Sequence, residues 1–114
     1  MVNKEAKILL RGLTASPGKV KGVAKVAYDP IEAKKKIKKG DIFITPMTSP
    51  DFMVTIMKSA GIITDFGGIL CHAAIVAREM GIPCIVGAKN ATSVIKDGEI
   101  ISIDGESGIV YKDD

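Results

Sequence analysis

Seven short segments rich in β-branched and aliphatic residues, each bounded by Gly, Pro or Asp, commit this chain to a sheet before any other feature is considered. Strands are expected at residues 8–10, 22–28, 41–45, 61–64, 83–86, 100–103 and 108–111. The second follows Ser16-Pro17-Gly18, where Pro presets a turn and Gly accepts positive φ. Helical spacing interrupts the series twice. Over 49–60, Phe52, Met53, Ile56, Met57 and Ala60 fall on one face behind Ser49 as N-cap and Pro50 at the first helical position. Over 72–80, Ala73, Ala74, Val76, Ala77 and Met80 supply a second helix, with Gly81 suited to a left-handed cap and Pro83 preventing continuation. A weaker helix is expected at 91–95.

With 114 residues there is enough chain for one core and no room for two, so 1–114 is taken as one domain. Only five aromatics occur, three Phe and two Tyr, which makes that core aliphatic. The absence of Gln, with Asn only at Asn3 and Asn90 against many Lys, leans toward a heat-adapted source. Only the terminal residues are expected to be loose.

Much of the net charge of +3 comes from Lys34, Lys35, Lys36, Lys38 and Lys39. A nucleic-acid surface is one reading, but the run lacks interleaved aromatics and Arg. Lysines around Ile31, Ala33 and Ile37 fit the wet side of a short helix better. Cys71 and Cys84, with one His between them, supply too few ligands for zinc, so no metal site is expected and the thiols are taken as structural, in a reducing compartment. No apolar run near the N-terminus is long enough for a signal peptide or membrane span, which points to the cytoplasm.

The segment with chemistry in it is Thr64-Asp65-Phe66-Gly67-Gly68-Ile69-Leu70-Cys71-His72-Ala73-Ala74. It passes from a strand through a glycine pair into a helix whose first turn offers unpaired N–H groups and a positive dipole end. Glycines there let an anion approach the backbone closely. Leu70 and Cys71 cap poorly, which leaves donors free around Ala73. His72, the only histidine, stands where its ring can carry a phosphoryl group into that field. A hydrogen-bonded structural histidine is the plainer reading of the same residue. Cys71 as nucleophile is disfavoured, because adjacent helical residues point about 100° apart and no third group orients the pair. Arg78 lies nearly two turns beyond His72 and reaches a phosphate only by folding back, so a surface role competes with a phosphate-binding one. Thr64 and Asp65 are candidates for orienting the loop or the imidazole.

From Gly67 to Pro83 the chain resembles the signature of the mobile, swivelling domain of phosphoenolpyruvate synthase and pyruvate phosphate dikinase. Ser16-Pro17-Gly18 with Gly22, Thr48-Ser49-Pro50-Asp51, Gly87 and Asp97-Gly98-Glu99 extend the likeness over roughly residues 10 to 111, and Cys71 resembles the synthase branch. The resemblance implies an α/β fold, a compact swivelling β/β/α sandwich or barrel-like domain with a helix starting at an exposed phosphohistidine, His72. Gly67, Gly68, Cys71, Ala73, Thr64 and Arg78 are taken as candidates for binding or supporting the phosphate around it. The family commonly has Thr where this chain has Leu70, so a hydroxyl beside the phosphate is missing.

The implied function is a phosphoryl carrier moving between an ATP-binding domain and a phosphoenolpyruvate/pyruvate-binding barrel domain, in the same or separate chains. No cofactor is expected here, Mg2+ and ATP belonging to those partners. No Walker-type loop or magnesium-binding carboxylate cluster is visible, so the chain is not a complete enzyme alone. Met1 and the family-like C-terminus fit a separate subunit. Two other classes stand beside the carrier: a non-catalytic swivelling module that binds or regulates partners, for which Leu70 speaks, and a basic nucleic-acid binder, for which only the lysine run speaks.

Overall fold

The computed structural model describes residues 7–113. Its strands are β1 (Lys7–Arg11), β2 (Leu13–Ser16), β3 (Lys19–Val26), β4 (Ile42–Thr45), β5 (Gly61–Thr64), β6 (Cys84–Val86), β7 (Ile100–Asp104) and β8 (Ile109–Lys112). Helices α1 (Pro30–Lys36), α2 (Met53–Lys58), α3 (His72–Met80) and α4 (Ala91–Val94) lie between them, with a 3-10 turn at Pro50–Phe52 leading into α2. The expectation of loose terminal residues falls largely outside the described residues.

All eight strands join one sheet in the order β1-β8-β7-β3-β4-β5-β6-β2. From β3 to β6 the pairs are parallel and the remaining pairs antiparallel. Strands β1 and β2 occupy opposite edges, yet Gly12 alone separates them in sequence. Flat, those edges would be roughly 33 Å apart, seven strand spacings. One intervening residue spans at most about 7 Å. The sheet therefore rolls until its edges meet. Gly12 is the seam: its N–H donates to Gly108 O at 2.9 Å on the β8 side, and a Cβ there would lie 2.6 Å from Ile85 Cγ2 and 2.9 Å from Val86 O on the β6 side.

Strand alternation divides the core in two. Ile42, Ile44, Ile63 and Ile85 face inward across the rolled sheet to Leu10, Ile101, Ile103 and Val110, with Ala91 and Ile95 at the end. Phe43, Ile62, Cys84 and Val86 face the other way, onto Ala33 and Ile37 of the α1 segment, Phe52 and Ile56, and the alanines of α3. Two strand layers and one helical layer result, so β4, β5 and β6 are buried on both sides, as βαβ crossovers require.

Several boundaries and faces depart from expectation. Strand β2 was not anticipated, and β3 begins at Lys19, immediately after the Ser16-Pro17-Gly18 turn. The helix expected over 49–60 is split: Pro50–Phe52 is a 3-10 turn, Ser49 makes no side-chain cap bond, and Ser59 already stands outside α2. Its buried stripe is Phe52, Thr55, Ile56 and Ser59, while Met57 is 68% exposed. The stripe still has helical spacing, and the Ser59 hydroxyl donates to Thr55 O at 2.8 Å, which satisfies a polar group inside it. In α1, Ala33 and Ile37 are buried as expected but Ile31 is exposed. That helix starts with reciprocal caps: Asp29 accepts from Glu32 N, and Glu32 accepts from Tyr28 N. Lys34, Lys35, Lys38 and Lys39 point into solvent, and Lys36 bonds Val26 O and pairs with Asp97.

Candidate functional site

Loops following β4, β5 and β6 gather at the carboxyl edge of the parallel strands, where open α/β sheets place ligands. Backbone hydrogen bonds stitch these loops together beyond the last strand residues. Asp65 N donates to Thr45 O and Phe66 N to Pro46 O; Ala88 N donates to Thr64 O and Lys89 N to Asp65 O. The stitching fixes the 46–48 segment beside the 65–71 loop.

His72 is the first residue of α3. Cys71 precedes it in extended conformation, makes no side-chain cap bond, and has its N–H turned back to Gly68 O. The helix start is thus uncapped, as its sequence implies. His72 is half-buried rather than fully exposed, because one edge of the ring is held: Nδ1 lies 2.9 Å from Thr48 Oγ1. The other nitrogen, Nε2, has no protein hydrogen-bond partner among the described residues.

The glycines divide the work. Gly67 sits at φ 126°, where a Cβ would lie 2.9 Å from Cys71 Sγ, while Gly68 has open space around it. Gly87, at φ 63°, packs against Gly67 O. A side chain is therefore excluded at Gly67 by Cys71 and at Gly87 by the Gly67 carbonyl. Thr64 is fully buried and its hydroxyl donates to Phe66 O at 2.8 Å, bracing the loop rather than touching the ring. Asp65 turns away, accepting from Thr92 N at 3.0 Å and Thr92 Oγ1 at 2.6 Å, and so anchors the first turn of α4. Arg78 donates to Ala15 O at 2.9 Å, tying α3 to β2. Ala73 is buried at the start of α3 and Leu70 is 80% exposed.

Cys71 packs partly buried against the helical-side core, and Cys84 is fully buried. Burial, with Cys71 nearby, pushes the Cys84 thiol up to about 12 against a smaller opposing effect of Arg78. Cys84 therefore stays a neutral core thiol. Among the described residues no three His, Cys, Asp or Glu side chains cluster as metal ligands, and no helix is long and apolar enough to cross a membrane.

Thr48 is the residue whose role the sequence does not disclose. It appears in a Thr-Ser-Pro-Asp run that reads as a helix entry, and only the tertiary fold sets its hydroxyl against His72, 24 positions away.

A sequence model of the family described as PEP-utilising enzyme, mobile domain, matches residues 37–108. The chain belongs to that family. It is 52% identical over 108 residues to a probable phosphoenolpyruvate synthase of Archaeoglobus fulgidus, covering 95% of this chain and 14% of the relative. To the phosphoenolpyruvate synthase of Pyrococcus furiosus it is 49% identical over 109 residues, covering 96% of this chain and 13% of that one. A solution structure of an Enzyme I protein superposes with a TM-score of 0.59 at 34% identity, over 68% of this chain and 33% of that one. This mobile domain thus spans a small part of the relatives it matches.

Proposed function

We propose that this domain is a phosphoryl carrier whose His72 is transiently phosphorylated on Nε2. The observation that carries the proposal is the 2.9 Å contact between Nδ1 and Thr48 Oγ1. An imidazole that donates from Nδ1 to the threonine oxygen keeps its proton there and presents the Nε2 lone pair as nucleophile. As the P–N bond forms, the donor's P–O bond breaks and its oxygen keeps the electron pair. Delivery to the acceptor is the reverse exchange. Phosphohistidine so divides one difficult transfer between two easier ones.

The uncapped start of α3 favours the negative charge the ring acquires. Gly68 has open space around it, and Thr64 holds its loop. Arg78, engaged with Ala15, contributes by seating α3. In this reading the domain swivels, in the cytoplasm, between an ATP-binding domain and a phosphoenolpyruvate/pyruvate-binding barrel domain, to which Mg2+ and ATP belong. The family membership and the names of the relatives support that division of labour.

The test is intact mass after incubation with phosphoenolpyruvate and a phosphoenolpyruvate synthase supplying the other domains. Wild type should gain one acid-labile, base-stable phosphoryl group, and His72→Ala none. Its urea midpoint should report a stability loss of about 1 kcal/mol, the scale of one hydrogen bond. A histidine that no donor modifies would instead leave a non-catalytic binding module. A mutant that still gains the labile group would place the carrier elsewhere.

A further inference from the structure

Lys89 combines two features that the carrier reading leaves unused. Its backbone is left-handed, at φ 70°, alone among the described non-glycine residues. A side chain held in that region costs free energy that glycine would not, and such outliers gather at ligand sites. Lys89 is also the only cation in the three loops that meet at the carboxyl edge: residues 46–49, 65–71 and 87–90 contain no other Lys or Arg. The residue is exposed, and among the described residues its ammonium joins no ion pair. Asp65, the acid in these loops, does not neutralise it, because both carboxylate oxygens are engaged by Thr92. Arg78, on the histidine's own helix, is held at Ala15 O.

The place of Lys89 on this edge is fixed by its backbone. Segment 87–89 runs beside the chain that leads into the histidine loop: Ala88 N donates to Thr64 O at 3.1 Å and Lys89 N to Asp65 O at 2.8 Å. Gly87 packs on Gly67 O, and Gly67 packs on Cys71, the residue before His72. We propose that Lys89 is a binding residue for the phosphoryl group, drawing the anionic donor to this edge and countering the charge of the group while His72 carries it. The inference rests on the carrier reading of His72. The uncapped start of α3 supplies only partial positive charge, whereas a phosphoryl dianion calls for a whole cation. An ammonium on a flexible stem acts as a point charge that can follow the group without locking it in place. Acting on a dianion through water over about 8 Å, one such charge changes a rate about fivefold at low salt, and hardly at all at 1 M, where the screening length is about 3 Å.

Potassium phosphoramidate is a small anionic donor from which ammonia leaves with the electron pair of the broken P–N bond, so it reports on this chain without any partner domain. At low salt Lys89→Gln and Lys89→Gly should slow the labelling of His72 about fivefold. Lys89→Arg, which keeps the charge, should restore the wild-type rate. In 1 M KCl the differences should vanish. Lys34→Gln, on an exposed lysine of α1, should match wild type at both salt concentrations. The urea midpoint of Lys89→Gly should rise even as its labelling slows, which separates the effect from a loss of fold. Labelling of Lys89→Gln at the wild-type rate in low salt would overturn the proposal and leave the carrier standing. So would a slowing that Lys89→Arg does not restore or that persists in 1 M KCl, which would trace the effect to backbone conformation. If phosphoramidate does not label wild type at His72, the carrier reading falls and the role of Lys89 with it.

Discussion

One hydroxyl decides which nitrogen of His72 faces outward. Thr48→Val keeps the shape of the side chain and removes its hydrogen bond, so the rate of phosphoryl uptake should fall about tenfold or more through lost orientation. Thr48→Ser should restore it, which a merely structural role would not require. Leu70 sits close by with its side chain in solvent, so Leu70→Thr should leave the urea midpoint within about 0.5 kcal/mol and either raise phosphoryl occupancy or leave it unchanged. Lys89 presents a different residue-scale feature. It is the one described non-glycine residue with positive φ, at 70°, in the loop whose amide bonds Asp65 O. Left-handed backbone costs a side chain about 1–2 kcal/mol, of which glycine returns part as chain entropy. Lys89→Gly should therefore stabilise the domain by about 0.5–1 kcal/mol in urea unfolding.

At the scale of elements, the seam at Gly12 is the least replaceable position. A methyl group there meets Ile85 Cγ2 and the Val86 carbonyl in a fixed ladder, so Gly12→Ala should lower stability by about 2 kcal/mol, read from the urea midpoint. The seam also shows where sequence stops informing. The buried strands Ile42–Thr45 and Gly61–Thr64 are written in runs of β-branched residues, and α3 in its alanines and Gly81, because local composition and caps suffice to define them. Strand β2 is four residues containing two hydroxyls, and its pairing with β6 exists only once the sheet has rolled. Over residues 52–59 the inward stripe includes Thr55 and Ser59, so a search for apolar residues settles on Met57 instead. The site divides in the same way. The strand, glycine pair and helix start that carry His72 are contiguous and legible; Thr48 and the use of Asp65 by Thr92 are long-range and were not.

Two carboxylates make the whole molecule acid-sensitive. Burial alone would raise Asp97, but hydrogen bonds from Lys36 and the Val26 amide, with the charges of Lys36 and Lys25, hold it below its ordinary value of 3.8. Burial likewise opposes, and the Glu106 and Ser107 amides with Lys19 outweigh it, at Asp104, also held below 3.8. A depressed folded pKa means stability that is complete above the unfolded value and lost as pH falls through the folded one. The urea midpoint should thus be flat down to about pH 5 and decline below about pH 4, and Asp97→Asn should flatten that decline. A consequence of another kind follows from the pairing of β1 with β8. Lys7 faces Lys112 across the first rung of an antiparallel ladder. Tension applied at these two points loads the rungs singly, in succession, and peels the strands apart like a zipper. A pair of terminal strands running in parallel would share the same load across every rung. Stretched between its ends, this domain should open at low force, with β1 and β8 parting first.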